Sequence, residues 1–154
     1  MDVHADLEAS CRPEDLFAWV DDLANYPPWL EIVTRAEALE SAGDGLRAWA
    51  VDLRGRLGPM ARSKRLRMVR SEHQPLRSVT FERVELDGRE HSPWVLRVTV
   101  DGDEDTSRLT MDLHYGGRLF GPVIERVLRD EIERSRHRLK DLVESAVTPP
   151  SCSN

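Results

Sequence analysis

Cysteine is scarce in this 154-residue chain: there are two, Cys11 and Cys152, near opposite ends. A disulfide framework is therefore excluded as the source of stability, neither residue has metal-ligand spacing, and both read as free thiols. Long apolar runs are also missing. No stretch approaches the roughly 18 residues a membrane span needs, and Met1-Asp2-Val3-His4-Ala5-Asp6 lacks the basic region and apolar run of a signal peptide, so a cytosolic location is expected. Histidines 4, 73, 91, 114 and 137 show neither i, i+4 spacing nor cysteine neighbours and are expected at the surface. Gly55, Gly58 and Gly116-Gly117 lie among strands rather than at a strand-to-helix crossover, so they read as bulges and turns, not a phosphate cradle. The carboxylates of Asp21-Asp22 and Glu104-Asp105 are adjacent in sequence, diverge, and are expected to be solubilising surface groups. No catalytic nucleophile, metal site or cofactor follows from the sequence.

What is present describes a globular chain. Apolar residues make up 40% and charged residues 32%, with nine Gly and nine Pro, a balance unlike that of disordered or fibrous sequences. The length suits one domain, placed at residues 1–147, followed by a polar tail at 148–154 that is expected to be mobile. A net charge of −6 argues against general nucleic-acid binding. The charge is uneven, however: residues 1–45 carry only Arg12 and Arg35 as bases, whereas residues 46–70 carry eight bases against the single acid Asp52. That segment is compatible with transient contact with an anionic membrane surface or an acidic partner, and equally with solvated strand faces. Oligomeric state is left open, a dimer included.

Val3, Ala5, Leu7 and Ala9 alternate with polar residues, the period of a strand with one buried face. Pro13 then opens a short helix with Glu14 and Asp15 at its positive end and Leu16, Phe17, Val20 and Leu23 as an apolar stripe. Tyr26-Pro27-Pro28-Trp29 must interrupt it, and a second short helix is expected near Leu30, Ile32 and Val33. Turn residues then divide six extended segments, near 33–41, 46–57, 60–72, 77–86, 90–100 and 106–115, with Asp87-Gly88 the clearest hairpin signal. From Phe120 the period changes to three and four through Val123, Ile124, Val127, Leu128, Ile132, Leu139, Leu142 and Val143, which predicts a helix of about 28 residues, or roughly 40 Å. The expected class is α+β: a seven-stranded curved antiparallel sheet, two short helices after strand one, and a long C-terminal helix across the concave face.

Three stretches carry a family resemblance: Pro13-Glu14-Asp15-Leu16-Phe17-Ala18-Trp19-Val20, Tyr26-Pro27-Pro28-Trp29, and Gly116-Gly117-Arg118-Leu119-Phe120-Gly121-Pro122 leading into the long helix. In that order the chain resembles the START-like (SRPBCC) superfamily with the helix-grip fold, in its polyketide cyclase/dehydrase and lipid-transport branch. The resemblance implies a cavity between sheet and C-terminal helix that takes a hydrophobic small molecule such as a lipid, polyketide or isoprenoid. It leaves open whether the protein carries or senses that molecule or cyclises it, and a protein-interaction module using strands 46–70 is a further alternative.

Alternation assigns the inward faces. Trp49, Val51 and Leu53 share one, as do Leu66 and Met68, Val79 and Phe81, Trp94, Leu96 and Val98, and Leu109, Met111, Leu113 and Tyr115. The long helix is expected to add Phe120, Ile124, Val127 and Leu128 near the entrance. Arg47, Arg70 and Arg83 fall in the same inward phase, so each requires solvent, an acid such as Glu90, or a ligand. Aromatase/cyclase members resemble this chain in carrying an Arg near the end of the strand that holds Arg70, which makes Arg70 the one candidate for a catalytic role.

Overall fold

The computed structural model describes residues 2–57, 60–116 and 121–152. Seven strands, β1 (Asp2–Ala9), β2 (Val33–Leu39), β3 (Ala48–Leu57), β4 (Met60–Gln74), β5 (Ser78–Arg83), β6 (Trp94–Gly102) and β7 (Ser107–Tyr115), form one sheet in the order β1-β7-β6-β5-β4-β3-β2. Every neighbouring pair is antiparallel, so six strands in sequence build a meander and β1 closes on the last of them. Helix α1 (Pro13–Val20) packs on β6 and β7. The long helix α2 (Gly121–Glu144) packs against both β1 and β3, which lie far apart in the strand order. Only a strongly curved sheet lets one helix reach both. This is the helix-grip architecture.

Local chemistry accounts for the elements. α1 has Pro13 at its first turn, where a missing amide costs nothing, and buries Leu16, Phe17, Trp19 and Val20. The second short helix is a 3₁₀ turn at Leu23–Asn25, upstream of the prolines rather than at Leu30–Val33. Asp22 fixes it there: its carboxylate accepts from the Ala24 amide at 2.9 Å, whereas Pro27 and Pro28 supply no amide to any helix downstream. The Asp87-Gly88 turn forms with Gly88 at φ 70°, but inside a loop from 84 to 93 rather than a tight hairpin. Asp87 accepts from the Arg89 amide and pairs with His91, which holds the loop in its own structure and ends β5 at Arg83. At the β6–β7 turn Gly102 is required, since at φ 144° a Cβ there would stand 2.2 Å from the Thr106 carbonyl oxygen. The Gly58-Pro59 turn lies outside the described residues.

Residues 149–152 are docked, whereas the sequence predicts a mobile segment over 148–154. Pro149 is buried, and Pro150–Cys152 form a 3₁₀ turn against Leu23–Asn25. Asn25, fully buried, donates to the Ala18 carbonyl at 2.9 Å and to Ser151 Oγ at 2.7 Å, and its carbonyl accepts from the Ser151 amide at 2.9 Å. Asn25→Ala is expected to cost about 2 kcal/mol, the scale of a buried network left without a partner. It is also expected to release the tail, seen as faster hydrogen exchange at Ser151; unchanged exchange there would contradict the assignment.

Cys11 is a free thiol in hydrogen-bonding range of Ser107 Oγ at 3.0 Å, and burial pushes its pKa up. Among the described residues no helix is long and apolar enough to cross a membrane.

Candidate functional site: a cavity between sheet and helix

The concave face of the sheet is covered in two portions. At one end, aromatic side chains fill the space: Trp49, fully buried, meets Phe81 edge-on at 5.4 Å, and Tyr26 packs on Phe81 at 6.2 Å and on Trp29 at 4.8 Å. The Tyr26 hydroxyl donates to the Val20 carbonyl at 2.8 Å, tying this layer to α1. Further along the face, α2 stands off the sheet and a cavity of about 120 Å³ remains.

Its wall comes from nearly every element. β1 gives Val3, Ala5 and Leu7; β3 gives Val51 and Leu53; β4 gives Leu66 and Met68; β6 gives Trp94 and Leu96; β7 gives Leu109, Met111 and Leu113. Alternation along the strands puts these side chains on one face, and antiparallel register sets Ala5 opposite Met111 and Leu96 opposite Leu113. The roof is Leu128, Ile132 and Leu139 of α2, at spacings of four and seven on one helix face. Leu23, Tyr26, Trp29, Leu30, Ile32 and Val33 close the side between α1 and β2.

Three polar residues border the cavity, Asp6, Ser135 and Arg136. Ser135 donates to the Glu131 carbonyl at 2.7 Å, the turn-back bond available to a buried helix serine. Arg136 pairs with Glu133 at 2.8 Å and reaches Asp6 at 4.0 Å, while Asp6 also holds Arg108 at 3.3 Å. The charges at this seam between β1 and α2 compensate one another. The indole nitrogens of Trp29 and Trp94 differ: both are shut off from solvent and neither has an acceptor among the described residues. Each such donor costs about 1–3 kcal/mol.

Of the residues nominated from sequence, Leu53, Leu66, Met68, Trp94, Leu96, Met111, Leu113 and Leu128 border the cavity. Trp49, Phe81 and Val98 do not; they are 0–1% exposed and belong to the solid core beside it. Tyr115 lies against Trp94 at 4.5 Å, behind the wall. Phe120 and the side chain of Ile124 lie outside the described residues. Sequence reasoning passed over Trp29, whose place in a loop carries no periodicity, and Val3, Ala5, Ile132 and Leu139, whose periodicity was plain but which were not assigned to the cavity.

The arginines resolve differently from one another. Arg83, with a side chain 7% exposed, donates to Glu85 at 2.9 Å and to the Ser92 carbonyl at 3.4 Å, so its partner is Glu85 and not Glu90. Arg47 is exposed, pairs with Asp22 at 3.6 Å and covers the Trp49 ring at 5.0 Å. Arg70 is half-buried but is not part of the cavity wall; burial and the charge of Arg47 pull its pKa down, against the opposing pull of Asp21 and Asp22. Asp21 and Asp22 are not surface solubilisers. Asp22 accepts from Ala24 and from Trp49 Nε1 at 3.0 Å, and burial beside Asp22 raises the Asp21 carboxyl to about 6. His73 completes this group, stacked on Phe17 at 6.1 Å, with its pKa lowered by burial and by Arg70 and Arg47. In the basic segment, Arg65 pairs with Asp52 at 2.6 Å and Arg67 donates to the Val84 carbonyl at 3.0 Å.

A sequence profile described as polyketide cyclase / dehydrase and lipid transport matches residues 2–144, nearly the whole chain. The chain belongs to this family. No curated protein matches the sequence. Solved structures with the same fold include a START superfamily protein from Mycobacterium smegmatis, at 17% identity and TM-score 0.72, with 95% of this chain and 99% of that one covered. TTHA0849 from Thermus thermophilus is similar at 16% identity and TM-score 0.72, with 96% and 100% covered. The Zhui aromatase/cyclase from Streptomyces sp. R1128 is similar at 11% identity and TM-score 0.70, with 100% and 99% covered. At these identities the likeness concerns the fold. Family membership supports hydrophobic-ligand binding or cyclase chemistry as the general function.

Proposed function

We propose that this member of the polyketide cyclase/dehydrase and lipid-transport family binds a hydrophobic small molecule in the cavity beneath α2, as a carrier or sensor. The observation that carries the reading is the composition of the wall, which is apolar apart from a seam whose charges are already paired. Such a surface gains affinity from apolar burial and has no group positioned for proton transfer. A cyclase acting through Arg70 is disfavoured because Arg70 stands outside that wall.

Magnitudes set the experiment. Burying six ring carbons contributes about 5 kcal/mol at ~0.8 kcal/mol each, which corresponds to a Kd of roughly 0.2 mM. Toluene titrated into protein labelled at the methionine methyls is expected to shift the Met68 and Met111 signals by ring current, with half-saturation at about 0.2 mM. Met111→Trp, which fills the cavity, should abolish the shift of the remaining Met68 signal while circular dichroism stays native. Arg70→Ala should leave it unchanged. A folded protein whose Met68 and Met111 signals ignore toluene would end this reading.

A further inference from the structure

The sheet ends differently at its two edges. α2 packs along β1, and Arg136 of α2 reaches Asp6 at 4.0 Å, so that edge has a neighbour. β2 forms the other edge. β3 pairs with one side of it and the Leu23–Asn25 turn packs against it, but among the described residues no strand pairs with its outer side. Thr34, Arg35, Glu37, Ala38 and Leu39 are exposed, and the strand holds neither proline nor glycine. Half of its backbone N–H and C=O groups therefore face outward as a template for another strand. The register shift between Val33 and Arg35 marks where that template stops.

Charges on an edge ordinarily discourage pairing, yet those of β2 complement a copy of themselves. On the outward face the register sets Arg65 of β4, Asp52 of β3 and Arg35 of β2 opposite one another in a row. Their signs alternate, and Arg65 donates to both Asp52 oxygens, at 2.6 and 3.0 Å. The row stops at the open edge on a cation whose side chain is 58% exposed and whose ion pair is with Glu37, two places along its own strand. Alternation calls for an anion in the next place. Antiparallel pairing of β2 with β2 of a second copy, about a twofold axis at Ala36, puts Glu37 of that copy there and sets Arg35 of that copy opposite Glu37. The neighbouring registers that keep the same faces together fail, because one sets Arg35 against Arg35 and the other Glu37 against Glu37, and like charges directly opposite are destabilising. Leu39, 42% exposed on the same face, then lies diagonally across from the aliphatic stem of Arg35 in the second copy.

We propose that the chain forms a twofold-symmetric dimer through β2, which joins two sheets into one, with the register set by Arg35 and Glu37. A contact of this kind uses the same patch on both copies and closes on itself. The edge is short, which places the dimer at the weak end of specific association, so it forms and dissociates with concentration. Nothing in this contact depends on what the cavity binds.

Sedimentation equilibrium of the unsubstituted protein between about 5 and 500 µM, a range suited to a small interface, is expected to show the mass rising from 17.6 kDa towards twice that value. Arg35→Glu and Glu37→Arg each place like charges at both crossings and are expected to weaken association roughly tenfold or more. Mixed in equal amounts, the two variants bring opposite charges together at both crossings, so a heterodimer is expected from two monomers. The proposal is overturned if the unsubstituted protein stays at 17.6 kDa throughout, or if it dimerises and neither substitution alters the mass. Variants that dissociate and stay apart on mixing overturn the twofold register. Circular dichroism checks that each variant is folded. Should one not fold, hydrogen exchange of the unsubstituted protein decides: the β2 amides that point away from β3 are expected to exchange more slowly as concentration rises, and rates independent of concentration overturn the contact.

Discussion

Trp49→Ala is expected to lower the unfolding free energy by about 3–5 kcal/mol, the range for truncating a fully buried tryptophan. The site makes the upper half of that range the natural expectation. Trp49 is 0% exposed, packs edge-on against Phe81, lies under the Arg47 guanidinium and donates to Asp22. Removing the ring opens a void beside Phe81 and strips one donor from a carboxylate that also caps the 3₁₀ turn. With total stabilities of roughly 5–15 kcal/mol for domains of this kind, the variant should unfold at a much lower urea concentration. Trp49→Phe separates the causes, since it keeps most of the packing and loses only the bond to Asp22. A loss under about 1 kcal/mol for Trp49→Ala would show that the aromatic layer is not the solid end of the fold.

Asp21→Asn is expected to stabilise the protein at neutral pH and to do nothing in acid. The folded-state value of about 6 exceeds the ordinary 3.8, chiefly because burial disfavours the charged form and Asp22 repels it. The folded chain therefore holds this proton more tightly than the unfolded chain between roughly pH 4 and 6. Stability contributed by the site is present in acid, falls as pH rises through that window and stays low above it. About two pH units correspond to roughly 3 kcal/mol at ~1.4 kcal/mol per unit, and partial exposure with solvent screening reduces this to about 1–2 kcal/mol. Melting temperatures of the two proteins should coincide near pH 3.5 and diverge by several degrees by pH 7.5. Because every other carboxylate is common to both, they cancel in the difference. An equal gap at both pH values would mean that the substitution acts through packing and not through charge.

Much of this architecture could be read from the sequence because its causes are local. Alternation in Val3 to Ala9 and the three-and-four spacing from Leu128 to Val143 are set by backbone geometry, whatever lies opposite. The division of the inward face into core and cavity is not local. Trp49 and Leu53 sit in the same phase of β3, yet Trp49 is covered by Phe81 and tied to Asp22 while Leu53 borders open space. What separates them is depth along the strand relative to the loop carrying Tyr26 and Trp29, which lies in neither periodicity. Asp21 and Asp22 misled for a related reason: adjacent carboxylates do diverge, but here one turns to a helix start and an indole and the other into a half-buried niche beside Arg70. Asp87-Gly88 made its turn between the paired strands β5 and β6 but not a tight hairpin, because Asp87 spends its oxygens on Arg89 and His91.

The span of α2 from β1 to β3 has a mechanical side. Among the described residues, no backbone hydrogen bond joins α2 to a strand; it rests on side chains, and near its end Glu144 accepts from the Ser10 amide at 3.1 Å. Leu139 and Val143 are sunk in the core at that same end. The described part of the helix is thus held by side chains over a sheet whose strand pairing does not involve it. Mutation at Leu128 or Ile132 costs apolar packing but breaks no strand pairing, so it is expected to change the interior while the sheet keeps its register.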